Sequence, residues 1–236
     1  MIRLPARARF SPALPILSAS IFAAILLPRV LRADVLDQYN FGPNGTTPGV
    51  LTPTTVGLHL TATNITADAG LAFDLSSPAT QPATTPYLRT TFVTNVSATQ
   101  AAAFTNNADF KFTLTADTGY LLNLTALDFD AMRGGASTPR GYAVRTSVDG
   151  FASVLGTADL PTVRPNFTHV TLSLAGATFQ NLSTITFKIY SYSPGTGSSV
   201  DYDSFVVHDR AGDHEVHQIV EKRTLAVDCI DRKSVV

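Results

Sequence analysis

Four separate stretches of this chain alternate apolar and polar residues with period two, and no longer helical period competes with them. Phe110, Phe112 and Leu114 fall on one side of an extended backbone, with Lys111, Thr113 and Thr115 on the other. Leu127, Phe129 and Ala131 likewise oppose Asp128 and Asp130. Tyr142, Val144 and Thr146 oppose Ala143, Arg145 and Ser147, and Ile185, Phe187 and Ile189 oppose Lys188, Tyr190 and Tyr192. Side chains alternate across a strand, so each stretch predicts a strand with one buried and one wet face. Further strands are expected at 38–41, 58–65, 71–75, 88–93, 169–174 and 201–207. Turn signals separate them, among them Pro43-Asn44-Gly45, Asp149-Gly150 and Ser193-Pro194-Gly195. The pattern predicts an all-β chain, an antiparallel β-sandwich of jelly-roll type with about ten strands. One short helical turn is expected at 97–104, around Ala101-Ala102-Ala103.

Composition narrows the function classes. Of 236 residues, 44% are hydrophobic and 15% charged, and the net charge is −1. The apolar fraction suffices for a folded core, and no basic run is present to neutralise a phosphate backbone, which argues against a nucleic-acid partner. Arg3, Arg7 and Arg9 precede an apolar run from Ala13 to Leu27, and small Ala33 follows. This is the layout of a cleaved export signal, expected as a signal helix over 1–33. The run is broken by Pro15 and Pro28 and is short for a membrane span, so no span is expected in the mature chain. Cys229 is the only cysteine, so no disulfide forms within the chain. The expected organisation is a signal peptide at 1–33, a β-sandwich domain at 34–208 and a charged tail at 209–236 that is not native to the domain.

Several phrases resemble the exported β-sandwich module of bacterial proteins that carry a PEP-CTERM sorting signal. They are Tyr39-Asn40-Phe41, Gly119-Tyr120, Leu127-Asp128-Phe129-Asp130, Arg133-Gly134-Gly135, Pro139-Arg140-Gly141-Tyr142, Arg145 to Phe151, Thr186 to Tyr190 and Asp201-Tyr202-Asp203. The resemblance implies a galactose-binding-like jelly roll, exported and held at the cell surface, with no general enzymatic activity. The sorting signal itself, a Pro-Glu-Pro motif with an apolar helix and a basic tail, is missing. The last six residues, Asp231 to Val236, match a translation of the start of a common sequencing adapter, so the native C-terminus is expected to differ. The resemblance also implies a candidate structural calcium beside the first and last strands. Asp201 and Asp203 would be its ligands, with Asp37, Asn40 and backbone carbonyls completing the oxygen set that hard Ca2+ requires; the alternative is an Asp that caps a turn.

No nucleophile elbow, phosphate-cradling loop or metal-spaced Cys/His cluster is present. His214-Glu215-Val216-His217 falls one residue short of the zinc-binding spacing. Asp128 and Asp130 share one strand face and are expected to meet water or nearby cations such as Arg145 and Lys188. Calcium and catalysis are the lesser alternatives, since a glycosidase needs its carboxylates across the scissile bond. Tyr190 and Tyr192 would stack on sugar rings while Arg145 and Lys188 bond hydroxyls, although a chain without Trp lacks the largest stacking face. The leading expectation is thus an exported, non-enzymatic structural or adhesion protein, with extracellular polysaccharide or surface matrix as partner. The alternative is a carbohydrate-binding module, and a hydrolase comes third.

Overall fold

The computed structural model describes residues 34–41, 50–74, 87–93, 97–163, 166–195 and 198–210. The signal helix, the Pro43-Asn44-Gly45 turn, the His214/His217 pair and Cys229 lie outside the described residues. Among the described residues thirteen strands are present: β1 (Asp34–Tyr39), β2 (Thr55–Val56), β3 (Leu60–Ala62), β4 (Thr66–Ala67), β5 (Leu71–Phe73), β6 (Leu88–Phe92), β7 (Asp109–Ala116), β8 (Leu124–Arg133), β9 (Gly141–Thr146), β10 (Gly156–Asp159), β11 (Thr168–Ser173), β12 (Thr184–Tyr192) and β13 (Ser198–Asp209). A short helix, α1 (Gln100–Thr105), joins β6 to β7. Among the described residues no helix is long and apolar enough to cross a membrane.

The pairing is that of a jelly roll. β9 pairs with β10, β8 with β11, β7 with β12 and β6 with β13, all antiparallel, as in one long hairpin folded over itself. Successive pairs fall in opposite sheets. The larger sheet runs β11-β8-β13-β1-β2, with β6 also on β13 and β5 on β6; the smaller runs β10-β9-β12-β7-β3, with β4 also on β7. The long β13 carries β6 along its first half and β1 along its second. Between the two, the register against β8 shifts after Asp203, where Ser204 takes a φ of 52°.

The inward faces interlock through aromatic rings. Phe112 stacks on Phe187 with ring centroids 5.2 Å apart, and Phe129 stacks on Phe205 at 5.0 Å. Phe110, Phe112, Phe129, Phe187, Phe205 and Tyr202 are all buried. Each of the four alternating stretches puts its apolar set inside, as the period requires. At one flank the two sheets touch directly: a Cβ on Gly156 of β10 would lie 2.5 Å from the end of the Leu172 side chain of β11, so a larger residue there would make that leucine shift.

Two boundaries differ from expectation. β1 starts at Asp34 and ends at Tyr39, because a bulge at Leu36 and Asp37 buries two successive residues and hides the alternation. β13 extends to Asp209, which is buried and pairs with Asp34 and Leu124, and the Arg210 amide donates to the Asn123 carbonyl. The sandwich therefore includes Asp209, with Arg210 tied to it by that bond, although both fall in the stretch expected as tail.

Candidate functional site

The outer face of the smaller sheet gathers a cluster of charge. Its register sets Lys188 opposite both Arg145 and Lys111, so β9, β12 and β7 present a row of three cations. Two carboxylates answer it. Asp68, just past β4, accepts hydrogen bonds from Lys111 Nζ at 2.6 Å and Lys188 Nζ at 2.7 Å, and Asp109 Oδ2 lies 3.2 Å from Lys188 Nζ. Burial works to raise the Asp68 carboxyl, but the hydrogen bonds from the two lysines outweigh it and hold the group well below the usual carboxylate range. Asp109 is fully buried, and burial pushes its carboxyl above that range despite the Lys188 charge.

Helix α1 closes one end of this face. Thr99 caps it by accepting from the Ala102 amide at 3.2 Å, and the Asn106 side chain donates to Ser97 Oγ, tying the two ends together. With Ala103 buried, Phe104 lands edge-on against Tyr190 at 4.7 Å, and the Arg145 guanidinium sits 3.5 Å from the Phe104 ring centre. Tyr190 and Tyr192 are each only 5% exposed. The Tyr192 hydroxyl donates to Asp159, and its ring covers Gly141, where an added Cβ would meet the hydroxyl at 2.5 Å. The four residues expected to hold a sugar lie on one sheet face, but the helix and the strand edge cover the rings and Asp68 engages Lys188. This corrects the expectation that the two tyrosines present open stacking faces.

The outer face of the larger sheet holds Asp128 and Asp130. Arg145 and Lys188 belong to the other sheet, so they are not the partners. His169 Nδ1 lies 2.8 Å from Asp130 and His208 Nε2 lies 3.0 Å from Asp128, each contact crossing to an adjacent strand.

The proposed calcium ligands do not converge. Asp37 is opposite Val207 on β13, whereas Asp201 is opposite Arg89 on β6. Val207 lies six residue steps along β13 from Asp201, roughly 20 Å at the usual rise. Asp201 is buried with Arg89 Nε 3.7 Å away, so its charge is met by an arginine. Among the described residues no three His, Cys, Asp or Glu side chains are grouped to hold a metal. The melting temperature should accordingly be the same in excess calcium and in excess chelator; a rise with calcium would reinstate the ion.

A cavity of about 380 Å3 opens beside the 3-10 turns at Ser147–Asp149 and Ala177–Phe179. Val148, Val154, Leu155 and Phe179 give it apolar walls, and Thr146, Ser153, Thr178 and Asp149 supply oxygens. Hydrogen bonds from Ser153 and the Ala152 amide hold the exposed Asp149 carboxyl below its ordinary range. From the sequence, Asp149-Gly150 is visible only as a turn. Phe179 belongs to a segment about 30 residues further on, and nothing local announces that the two meet.

No family model matches the chain, and no curated protein matches it. Solved structures do. The K3 cleaved adhesin domain of Lys-gingipain from Porphyromonas gingivalis W83 is 14% identical, with a TM-score of 0.37, over 75% of this chain and 98% of that one. A Stig cyclase from Fischerella sp. TAU is 15% identical, with a TM-score of 0.35, over 80% and 93%. A family 29 carbohydrate-binding module from Piromyces equi is 9% identical, with a TM-score of 0.30, over 64% and 91%. At such values the likenesses assign neither ligand nor activity to this chain.

Proposed function

We propose that this protein is an exported, non-enzymatic β-sandwich that serves surface structure or adhesion. The observation that carries the reading is that the carboxylates on both outer faces are engaged by neighbouring side chains of the protein itself. Asp68 is held by Lys111 and Lys188, Asp130 by His169, Asp128 by His208, and Asp159 by Tyr192. Thr113 with Thr186 and Thr115 with Thr184 continue the cross-strand pairing at 2.8 and 3.1 Å. Such faces stiffen a sandwich, since opposite cross-strand pairs stabilise a sheet. Export is supported by the sequence of the leader, with Arg3, Arg7 and Arg9 before an apolar run and small Ala33 after it. Expressed with its leader in a secreting bacterium, the protein should yield exported material that begins at Asp34. Exported chains that still begin at Met1 would overturn cleavage.

The cavity favours a second reading, saccharide binding. An aromatic wall at Phe179 beside three hydroxyls and a carboxylate suits a sugar ring, with one apolar face and a polar rim. On a glycan array, Phe179→Ala should abolish whatever saccharide signal the native protein gives, while Tyr190→Ala should leave it unchanged. Loss with Tyr190→Ala and not with Phe179→Ala would return the site to the sheet face; an array without signal would remove the saccharide.

A further inference from the structure

We propose that Lys188 and Asp109 become joined side chain to side chain by an amide bond that the fold itself makes. The proposal goes beyond the structural reading and does not depend on it. Three features bring it about. Lys188 Nζ lies 3.2 Å from Asp109 Oδ2 and 2.7 Å from Asp68 Oδ2, so one amine faces two carboxyl groups at once. Asp109 has no exposure and the Lys188 side chain is 16% exposed, with the rings of Phe151 and Tyr190 centred 5.4 and 5.9 Å from the amine. The register fixes both partners, since Lys188 sits opposite Lys111 and Tyr190 opposite Asp109 on the ladder of β12 and β7. Groups held this way react as neighbours in one molecule, with an effective concentration far above any attainable in solution.

The two carboxyls have opposite roles because their surroundings differ. Asp109 is buried and retains its proton more readily than a free carboxyl, which makes its hydroxyl a leaving group. Asp68, ionised and accepting from Lys188 Nζ at 2.7 Å, orients the amine and relays its protons. The two carboxylates favour Lys188 as the ammonium, so the first proton passes from Nζ to Asp109, which burial makes the better acceptor, and the freed lone pair attacks Asp109 Cγ. The Nζ–Cγ bond forms, the Cγ–O bond breaks, and the hydroxyl departs as water with a second proton relayed from the nitrogen through Asp68. One hydrogen stays on the amide, Asp68 ends ionised as it began, and no oxidant is needed. Lys111 stays in place to hold Asp68 at 2.6 Å.

The product is a covalent tie between two central strands, in a chain whose single cysteine allows no internal disulfide. Its signature is mass. The folded wild-type chain should weigh one water, about 18 Da, less than its sequence, and a tryptic digest should contain a branched peptide joining the segments around Lys188 and Asp109. Lys188→Arg and Asp109→Ala should each restore the full mass. Asp68→Ala, which keeps both partners and removes the group that orients the amine and relays its proton, should fold and show the full mass or a greatly slowed loss. Circular dichroism of each variant separates lack of reaction from lack of folding, and Lys188→Arg, which retains the cation, is decisive if Asp109→Ala does not fold. A folded wild type of full mass, a deficit that persists in Lys188→Arg, or a branch at Asp68 in place of Asp109 would overturn the proposal.

Discussion

Phe129→Ala is expected to lower the free energy of unfolding by about 3–5 kcal/mol, the cost of lost transfer energy plus the cavity left behind. Phe129 has no exposed surface, stacks on Phe205 at 5.0 Å and meets Tyr142 edge-on at 5.0 Å, so several walls would have to collapse to fill the space. It also stands at the middle of the sandwich, on the strand that carries both β11 and β13. In urea titration the midpoint should fall while the slope stays unchanged, because the surface exposed on unfolding is the same. Leu58→Ala provides the contrast: that side chain is 72% exposed, and its loss should stay within about 0.5 kcal/mol. Equal costs at the two positions would mean that the aromatic core does not hold the sheets together.

Asp37 produces the second large effect, with the opposite sign. Its carboxyl is buried, neither oxygen has a hydrogen-bond partner of good geometry, and burial pushes it up to about 7, with Tyr39 and the Gln38 backbone offsetting only part of the shift. The nearby Tyr39 hydroxyl is engaged elsewhere, donating to the Thr63 carbonyl at 2.6 Å. The folded protein therefore keeps this proton where the unfolded chain, with its ordinary value of 3.8, has released it. Since the native state binds more protons across that window, stability falls as pH rises from about 4 to about 7. Three pKa units correspond to about 4 kcal/mol. Asp37→Asn removes the titration. The difference in unfolding free energy between variant and wild type should widen in the variant's favour by about 4 kcal/mol from pH 4 to pH 8, whatever constant the amide itself adds. Parallel pH profiles would show that the carboxyl is hydrated or paired in solution.

Asp37 also marks where the sequence stops being legible. The ten strands read from alternation are all present, and their inward residues are the buried ones, because a half-buried strand writes its period directly into the chain. The three others, β2, β4 and β10, are two to four residues long and mostly exposed, so they bury too little to leave a pattern. The site followed the same division. Local spacing identified Arg145, Lys188, Tyr190 and Tyr192 as one face, but their availability depends on what covers them. Phe104 arrives from α1, Asp68 from the loop after β4, and Asp159 from β10, contacts separated in sequence by tens of residues. The histidine partners of Asp128 and Asp130 were hidden for the same reason, since only the register of β8 with β11 and β13 selects them over the cations of the other sheet.

The nested pairing of the jelly roll has a consequence for the order in which the chain can assemble. Gly156 pairs with Val144 across a short turn, but Val170 must find Phe129, Phe187 must find Phe112, and Ser198 must find Thr91, each closing a longer loop than the last. Loop closure is an entropic cost met before its contacts form, so folding should start at the β9–β10 hairpin and advance outward, slowly for a domain of this size. The last strand is also the most connected, receiving β8, β6 and β1. A chain emerging N-terminus first would therefore hold β1 and β6 without their shared neighbour until Asp209 had emerged, and over that interval their unpaired edges would be open to chaperones, proteases and other copies of the same chain.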